Sequence, residues 1–175
     1  MQNKFFIGDL HIGDETIIQL ENRPFANAEE QTVAFVKNWN SIVEDNDIVY
    51  VMGDYIVENP SQFHINELRK LKGRKFLVKG NHDTLPDEVY IEKYGFEKVY
   101  DTDIIIDGFW ILSHEPKYVN KNFPYANIFA HVHGNPIYKT HSCRHYCVSA
   151  ERIGNTPISF DEIKNTVFED DRNKS

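Results

Sequence analysis

Five short polar clusters hold nearly every side chain of this chain suited to binding a divalent metal: Asp9-x-His11, Gly53-Asp54, Gly80-Asn81-His82-Asp83, His114 and His131-x-His133. Carboxylate, imidazole and amide oxygen without thiolate suit borderline or harder ions such as Mn, Fe, Co, Ni or Zn, and fit calcium or a structural zinc poorly. Within Asp9-x-His11 and His131-x-His133, a spacing of two turns both side chains of an extended segment the same way, as a shared ion requires. Taken singly, each of these residues reads as a surface or satisfied core group. Five clusters together reverse that balance. The chain has 175 residues, enough to bury about 70% of its unfolded surface, so its core needs no metal and any metal serves chemistry.

Each cluster follows a segment that reads as a strand. Residues 4–8 (KFFIG), 47–53 (DIVYVMG) and 75–79 (KFLVK) are short apolar runs ending in polar residues, and residues 125–130 lead into His131-Val132-His133. Residues 102–106 and 109–113 flank Asp107-Gly108, a pair favoured in tight hairpins, with His114 at the end. Residues 144–150 form another strand. Helices alternate with these strands. Asn27 with Glu30 reads as a capping pair before Thr32, Phe35, Val36, Trp39, Ile42 and Val43, which mark one buried stripe. Pro60 and Ser61 open a second helix carrying Ile65, Leu68 and Leu71, with Gly73 as its stop. A third spans about residues 87–94, and Ser159 with Glu162 caps a last one. In such an α/β chain, loops leaving the carboxyl ends of parallel strands converge on one edge of the sheet, so scattered clusters meet in one pocket. No repeat, linker or low-complexity tract interrupts the pattern, which predicts one domain over residues 1–168 and a charged, frayed tail over 169–175.

Composition narrows the function further. With 41% apolar and 13% aromatic residues the chain is outside the disordered class. Its 19 Lys and Arg against 27 Asp and Glu leave a charge of -8, which opposes an extended nucleic-acid surface. Apolar runs at 104–106 and 109–112 are far short of the roughly 20 residues that cross a bilayer. The segment MQNKFFIGD has no apolar stretch before its first charge, and two cysteines make no disulfide framework. The expectation is a cytoplasmic protein without membrane contact.

The succession D-x-H, G-D, G-N-H-D, H and H-x-H, in that order, resembles the calcineurin-like metallophosphoesterase superfamily, in particular its small single-domain bacterial and phage phosphoesterases. The likeness runs from Phe5 to about Ile163 and includes Arg23-Pro24-Phe25. It implies an α/β fold of two mixed β-sheets packed as a sandwich flanked by helices, in four α/β/β/α layers. It also implies two divalent ions, Mn foremost, with Fe, Ni, Co or Zn as alternatives. One would take Asp9, His11, Asp54 and His133, the other Asp54, Asn81, His114 and His131. Asp54 would bridge them, and His82, with Asn81, would face the substrate. The chain departs from the family at Ala130, where a glycine usually precedes H-x-H.

Charge then suggests the chemistry. Two ions bring about +4, Asp9 and Asp54 about -2 and a bridging hydroxide about -1, so the site stays cationic and attracts phosphate. Ions about 3.5 to 4 Å apart can orient the hydroxide in line with phosphorus and clamp the other oxygens. His82 is expected to protonate the leaving oxygen as general acid, with Asp83 setting its orientation. The expected activity is hydrolysis of a small phosphomonoester or phosphodiester, a nucleotide among the candidates. Only 16 residues separate His114 from His131, so no cap domain covers the site, which favours a promiscuous enzyme. A second reading is action on cyclic nucleotides or nucleic-acid ends. A third, from another class, is a non-catalytic protein-binding scaffold of the same fold, which the intact ligand set opposes.

Other features carry two readings each. Arg23 is either a structural ion pair or a bidentate grip on a substrate phosphate. His141, Cys143, His145 and Cys147 alternate as in a zinc site, yet on one strand they stand too far apart to close a tetrahedron, which favours a structural or pocket-edge role. Arg69, Lys70, Lys72, Arg74, Lys75 and Lys79 read as a solvated helix end rather than a nucleic-acid patch. Tyr55, Tyr118, Phe123 and Tyr125 either stack on a base or cover the core.

Overall fold

The computed structural model of the chain describes residues 2–120 and 122–172. In chain order the elements are β1 (Lys4–Ile7), α1 (Glu15–Leu20), α2 (Ala28–Asn40), β2 (Ile48–Val51), α3 (Gln62–Leu68), β3 (Arg74–Val78), α4 (Asp87–Tyr94), β4 (Phe96–Tyr100), β5 (Ile104–Ile106), β6 (Trp110–Leu112), β7 (Ala126–Phe129), β8 (His141–Ser142), β9 (His145–Cys147), β10 (Ile158–Ser159) and α5 (Phe160–Arg172). They build two mixed five-stranded sheets, ordered β10-β1-β2-β3-β4 and β5-β6-β7-β9-β8. In the first, β1 to β4 run parallel and β10 pairs antiparallel with β1. In the second, β6, β7 and β9 run parallel between the antiparallel edges β5 and β8.

The period of two along each strand explains the layers. In β1, Phe5 and Ile7 face helices α2, α3 and α4 in one core with Trp39, Leu68 and Tyr90. Phe6 faces the other way, into the core between the sheets, with Trp110, Leu112, Ile128 and Phe160. Val49 and Val51 repeat the outward choice, Met52 and Val78 the inward one. Strands buried on both faces must read as continuous apolar runs, which is why KFFI and IVYV stood out. Helix α5 reaches both sheets, against β10 and β1 on one and β8 and β9 on the other, and places Ile163 and Val167 between them.

Caps set several boundaries as expected. Asn27 Oδ1 accepts the Glu30 N–H at 2.8 Å, Glu30 accepts the Ala26 N–H, and Ser159 Oγ accepts the Glu162 N–H at 3.2 Å. Asp107 and Gly108 both take positive φ in the β5–β6 hairpin. Elsewhere the structure differs from the reading. Helix α3 ends at Leu68 rather than near Gly73, because tight turns from Glu67 and Leu68 carry the chain off its axis. Ile42 lies beyond the end of α2 and is largely exposed. The polar loop after the first cluster contains α1, capped by Asp14 accepting the Thr16 N–H at 2.7 Å. Strand β4 was hidden by its abutment on α4. Helix α5 continues to Arg172 through the stretch expected to fray, while residues 173–175 lie outside the described residues. No helix among the described residues is long and apolar enough to cross a membrane.

Phe6 is fully buried between the sheets, stacked on Tyr50 and packed on Phe160 with ring centroids 5.4 Å away in each case. Phe6→Ala is expected to lower unfolding free energy by about 3–5 kcal/mol in urea titration. A loss below about 1 kcal/mol would contradict the sandwich core described here.

Candidate metal centre

All five clusters begin two residues past the ends of β1, β2, β3, β6 and β7, at one edge of the paired sheets. The loops are sewn together by backbone bonds. His11 N–H donates to Asp54 O at 2.8 Å and Asp9 N–H to Gly53 O at 3.0 Å, which continues the β1–β2 pairing past the strands. Ala130 N–H donates to His114 O, and Gly8 bridges to Ser149, which joins the two sheets. Asp9, His11, Asp54, His131 and His133 all have φ between 46° and 69°, a region L-residues seldom occupy. Five ligand candidates held in strained backbone indicate a geometry that the surrounding bonds enforce. Close approach adds a further constraint: a Cβ at Gly80 would lie 2.7 Å from the Asp54 nitrogen and collide with its carboxylate.

Beside a group of Glu21, His133 and Glu151, the described residues offer two groups of potential ligands that share a carboxylate, Asp9, His11, Asp54 and His133 in one and Asp54, His114 and His131 in the other, each with ligand atoms within 4.8 Å of one another. They share Asp54, whose Oδ2 lies 3.5 Å from His11 Nε2 and 3.4 Å from His114 Nε2. Asn81 Oδ1 joins the second group 3.0 Å from His114 Nε2, and His131 Nδ1 stands 3.0 Å from that same nitrogen. Asp9, His11, Asp54 and His114 are buried. Asp9 Oδ2 and His11 Nε2 are buried without any hydrogen-bond partner, a costly condition that cations at this point would relieve. The donor set therefore fits two divalent ions.

Titration follows the same logic. Burial drives the Asp9 carboxyl up to about 6 against the pull of His133 and His114. Burial also drives His11 down to about 4, leaving the neutral imidazole that a metal requires. Burial would raise Asp54 and lower His114, but their mutual hydrogen bond and attraction win, holding the carboxyl down and the imidazole up.

His82 is exposed beside this cluster, its ring edge-on to His11 at 5.4 Å and its N–H donating to Asp54 Oδ1 at 2.9 Å. It lines an open cleft of about 270 Å³ together with His11, Asp54 and Asn81. Asp83 does not orient it. Its buried carboxylate accepts the backbone N–H groups of Asp54 at 2.7 Å, Gly80 at 2.9 Å and Tyr55 at 3.0 Å, and the Tyr90 hydroxyl at 3.2 Å. Asp83 thus clasps the β2 and β3 loops and has no capacity left for a catalytic role.

Arg23 is likewise occupied. Its guanidinium donates to Asp9 O at 2.5 Å, Leu10 O and Gln31 Oε1 at 2.9 Å each, and twice to Glu151 Oε1 at 2.8 and 2.5 Å. Five donors meet five acceptor contacts, so Arg23 cannot grip a phosphate, and the structural reading replaces the substrate-binding one. Sequence reasoning missed Glu151, which also faces His133 Nδ1 at 3.2 Å. It lies in a short 3-10 turn (Ala150–Ile153), and nothing in its neighbours marks it out. At Ala130 the structure answers the departure from the family pattern, because its methyl group packs where a Cβ at Gly8 would fall.

The remaining candidates resolve as follows. His141 to Cys147 is a hairpin of β8 and β9 rather than one strand, and no metal group containing those residues occurs among the described ones. His145 Nε2 donates to Lys117 O at 2.9 Å, while Cys147 Sγ contacts Ser149 Oγ. Of the basic run, Lys70, Lys72, Arg74 and Lys79 pair with carboxylates and Lys75 is buried. Tyr55 is core, edge-on to Phe96 at 4.9 Å, whereas Tyr118 and Phe123 are exposed.

Comparison with known proteins agrees with this geometry. The family profile described as calcineurin-like phosphoesterase matches residues 5–174. The chain belongs to the calcineurin-like phosphoesterase family. An uncharacterised protein of Methanocaldococcus jannaschii is 31% identical over 171 residues, covering 93% of this chain and 90% of that one. The gene 66 protein of Mycobacterium phage L5 is 35% identical over 86 residues, 47% of this chain and 41% of its own length. Among solved structures, a protein of unknown function from Aquifex aeolicus superposes with a TM-score of 0.70 at 25% identity, over 95% of this chain and all of that one. Membership in the calcineurin-like phosphoesterase family, together with the Asp/His cluster, supports metal-dependent phosphoester hydrolysis as the general activity.

Arg23→Ala is expected to destabilise the fold by about 3–5 kcal/mol in denaturant unfolding, because it strands Glu151 and two carbonyls. Arg23→Lys should recover little of this, since an ammonium cannot serve the five contacts. Unchanged stability in both variants would restore Arg23 as a substrate contact.

Proposed function

We propose that this protein hydrolyses phosphomonoesters or phosphodiesters with two divalent ions, manganese foremost, held across Asp54. The observation that carries the reading is the pair of ligand groups sharing that one carboxylate, with Asp9 Oδ2 and His11 Nε2 of the first group buried without a hydrogen bond. Ions bound there supply Lewis acidity, which lowers the pKa of a shared water and neutralises charge on phosphate oxygens.

The chain's own residues do the rest. Asp9, His11, Asp54 and His133 would hold one ion, and Asp54, Asn81, His114 and His131 the other. Strained loops keep these groups in place before substrate arrives, so little reorganisation is needed as charge builds. Asn81 and His82 stand at the exposed mouth, where His82 can place a proton on the leaving oxygen. The open cleft suits substrates of varied shape. A scaffold role would tolerate erosion of the ligands, yet all seven stand together at one edge. Both cysteines are free thiols, in keeping with a reducing, cytoplasmic setting.

Metal-free protein reloaded with Mn, Ni, Zn or Mg should turn over 4-nitrophenyl phosphate or its bis ester, and Asp54→Ala should lose at least about 100-fold. Equal rates for both proteins would remove Asp54 from the centre. His82→Ala should slow an alkyl ester by about 100-fold or more and a 4-nitrophenyl ester far less, because only the poor leaving group needs a proton. Equal effects on the two esters would end its role as acid.

A further inference from the structure

Beside the metal centre lies a cleft of about 430 Å³ that the chemistry above does not use. Its walls include Tyr118, Ile137 and Tyr138. Tyr118 at 89% and Ile137 at 85% are the most exposed large apolar side chains among the described residues. Scattered exposure of this kind needs no explanation, but a cluster around a concavity does. His141 and His145 bring polar edges into the same cleft. The His145 ring is fixed by donation from Nε2 to Lys117 O, with Ser142 Oγ 3.3 Å from Nδ1. A cleft lined by two tyrosines together with polar side chains suits a heterocycle better than a plain hydrocarbon.

Shared lining residues place this cleft relative to the reaction. Lys117 belongs both to it and to a smaller recess that contains His114 and Asn81. Asn81 belongs in turn to the cleft of His82. Shared walls thus string these clefts in a row, from His82 through Asn81 and the recess floored by the buried His114 to Lys117 and the tyrosines. Along the way Lys79 is paired with Asp87 and Asp101, and Lys117 with Asp103 at 2.9 Å. These lysines are already paired, which suits an uncharged group along the passage, while Lys139 adds one positive charge to the wall of the cleft itself.

We infer that the Tyr118–Tyr138 cleft binds the nucleobase of a phosphodiester, on the ester arm that stays attached to phosphorus. The leaving arm lies at the opposite end of the row, beside His82. Water loses a proton to solvent as its oxygen bonds to phosphorus, the bond from phosphorus to the leaving oxygen breaks, and that oxygen takes a proton from His82, which regains one from solvent. The products are a nucleoside monophosphate and an alcohol. The inference rests on the phosphoester-hydrolase reading and narrows its substrate to nucleoside-bearing diesters.

Two experiments separate the claims. Mn-loaded protein is assayed on thymidine 5′-(4-nitrophenyl phosphate) and on methyl 4-nitrophenyl phosphate, which share a leaving group and differ in the retained arm. KM should be at least about tenfold lower for the thymidine ester, the size that stacking of one base supplies, and that ratio should fall to about threefold or less in Tyr118→Ala/Tyr138→Ala. Ile105→Ala, at an exposed apolar residue of β5, should keep the full ratio. Thymidine alone is also titrated into the protein without added metal and followed by amide NMR shifts, which should cluster at Tyr118, Tyr138, His141 and His145. Turnover of both esters without preference, or shifts elsewhere, overturns the base site and leaves hydrolysis standing. Shifts in the cleft without turnover of either ester support the base site and sink the hydrolase.

Discussion

One carboxylate organises this molecule. Asp54 presents Oδ2 to imidazoles from both sheets and Oδ1 to the backbone of the β3 loop. Desolvating an anion is expensive, and the fold tolerates it only because positive or donating groups converge on it from three directions. Those groups can converge only if β1, β2 and β3 end level with one another and the second sheet brings β6 and β7 to the same edge. Glycine at position 80 is part of that requirement, since any larger residue would push the β3 loop off the carboxylate. The sandwich thus serves as a jig for a small electrostatic cluster.

Much of this was legible in the chain. The strands announced themselves because burial on both faces leaves little room for polar residues; in KFFI, IVYV and ANIF the exceptions are Lys4 at a strand start and Asn127, whose amide donates to Ile111 O and Ser113 Oγ. The ligand clusters were legible because Asp, Asn and His directly after such runs have no packing role to explain them. Elements whose formation depends on partners were hidden. Helix α1 is too short to show a period, and β8 has two residues and exists by pairing with β9. Strand β4 follows Gly95 without an intervening turn.

Residue roles were less legible than residue positions. Asp83 sits beside His82 in sequence, yet successive side chains in an extended loop diverge, and its carboxylate went to the amides of the neighbouring loop. Arg23 left a structural ion pair and a phosphate grip equally open, because an arginine in a polar loop near metal ligands can serve as either. Its partner Glu151 stands 128 positions later, where no local pattern reveals it. Both residues show buried polar groups spent on holding the loops, so that the groups facing the cleft stay free for substrate.

Strand β1, which carries the first two ligands, lies between β2 on one side and β10 on the other. Residues 5 and 6 thus pair with residues 158 and 159, far along the chain. Until residues 158 and 159 have folded back, Phe5, Phe6 and one edge of β1 stay uncovered. Such long-range closure is slow.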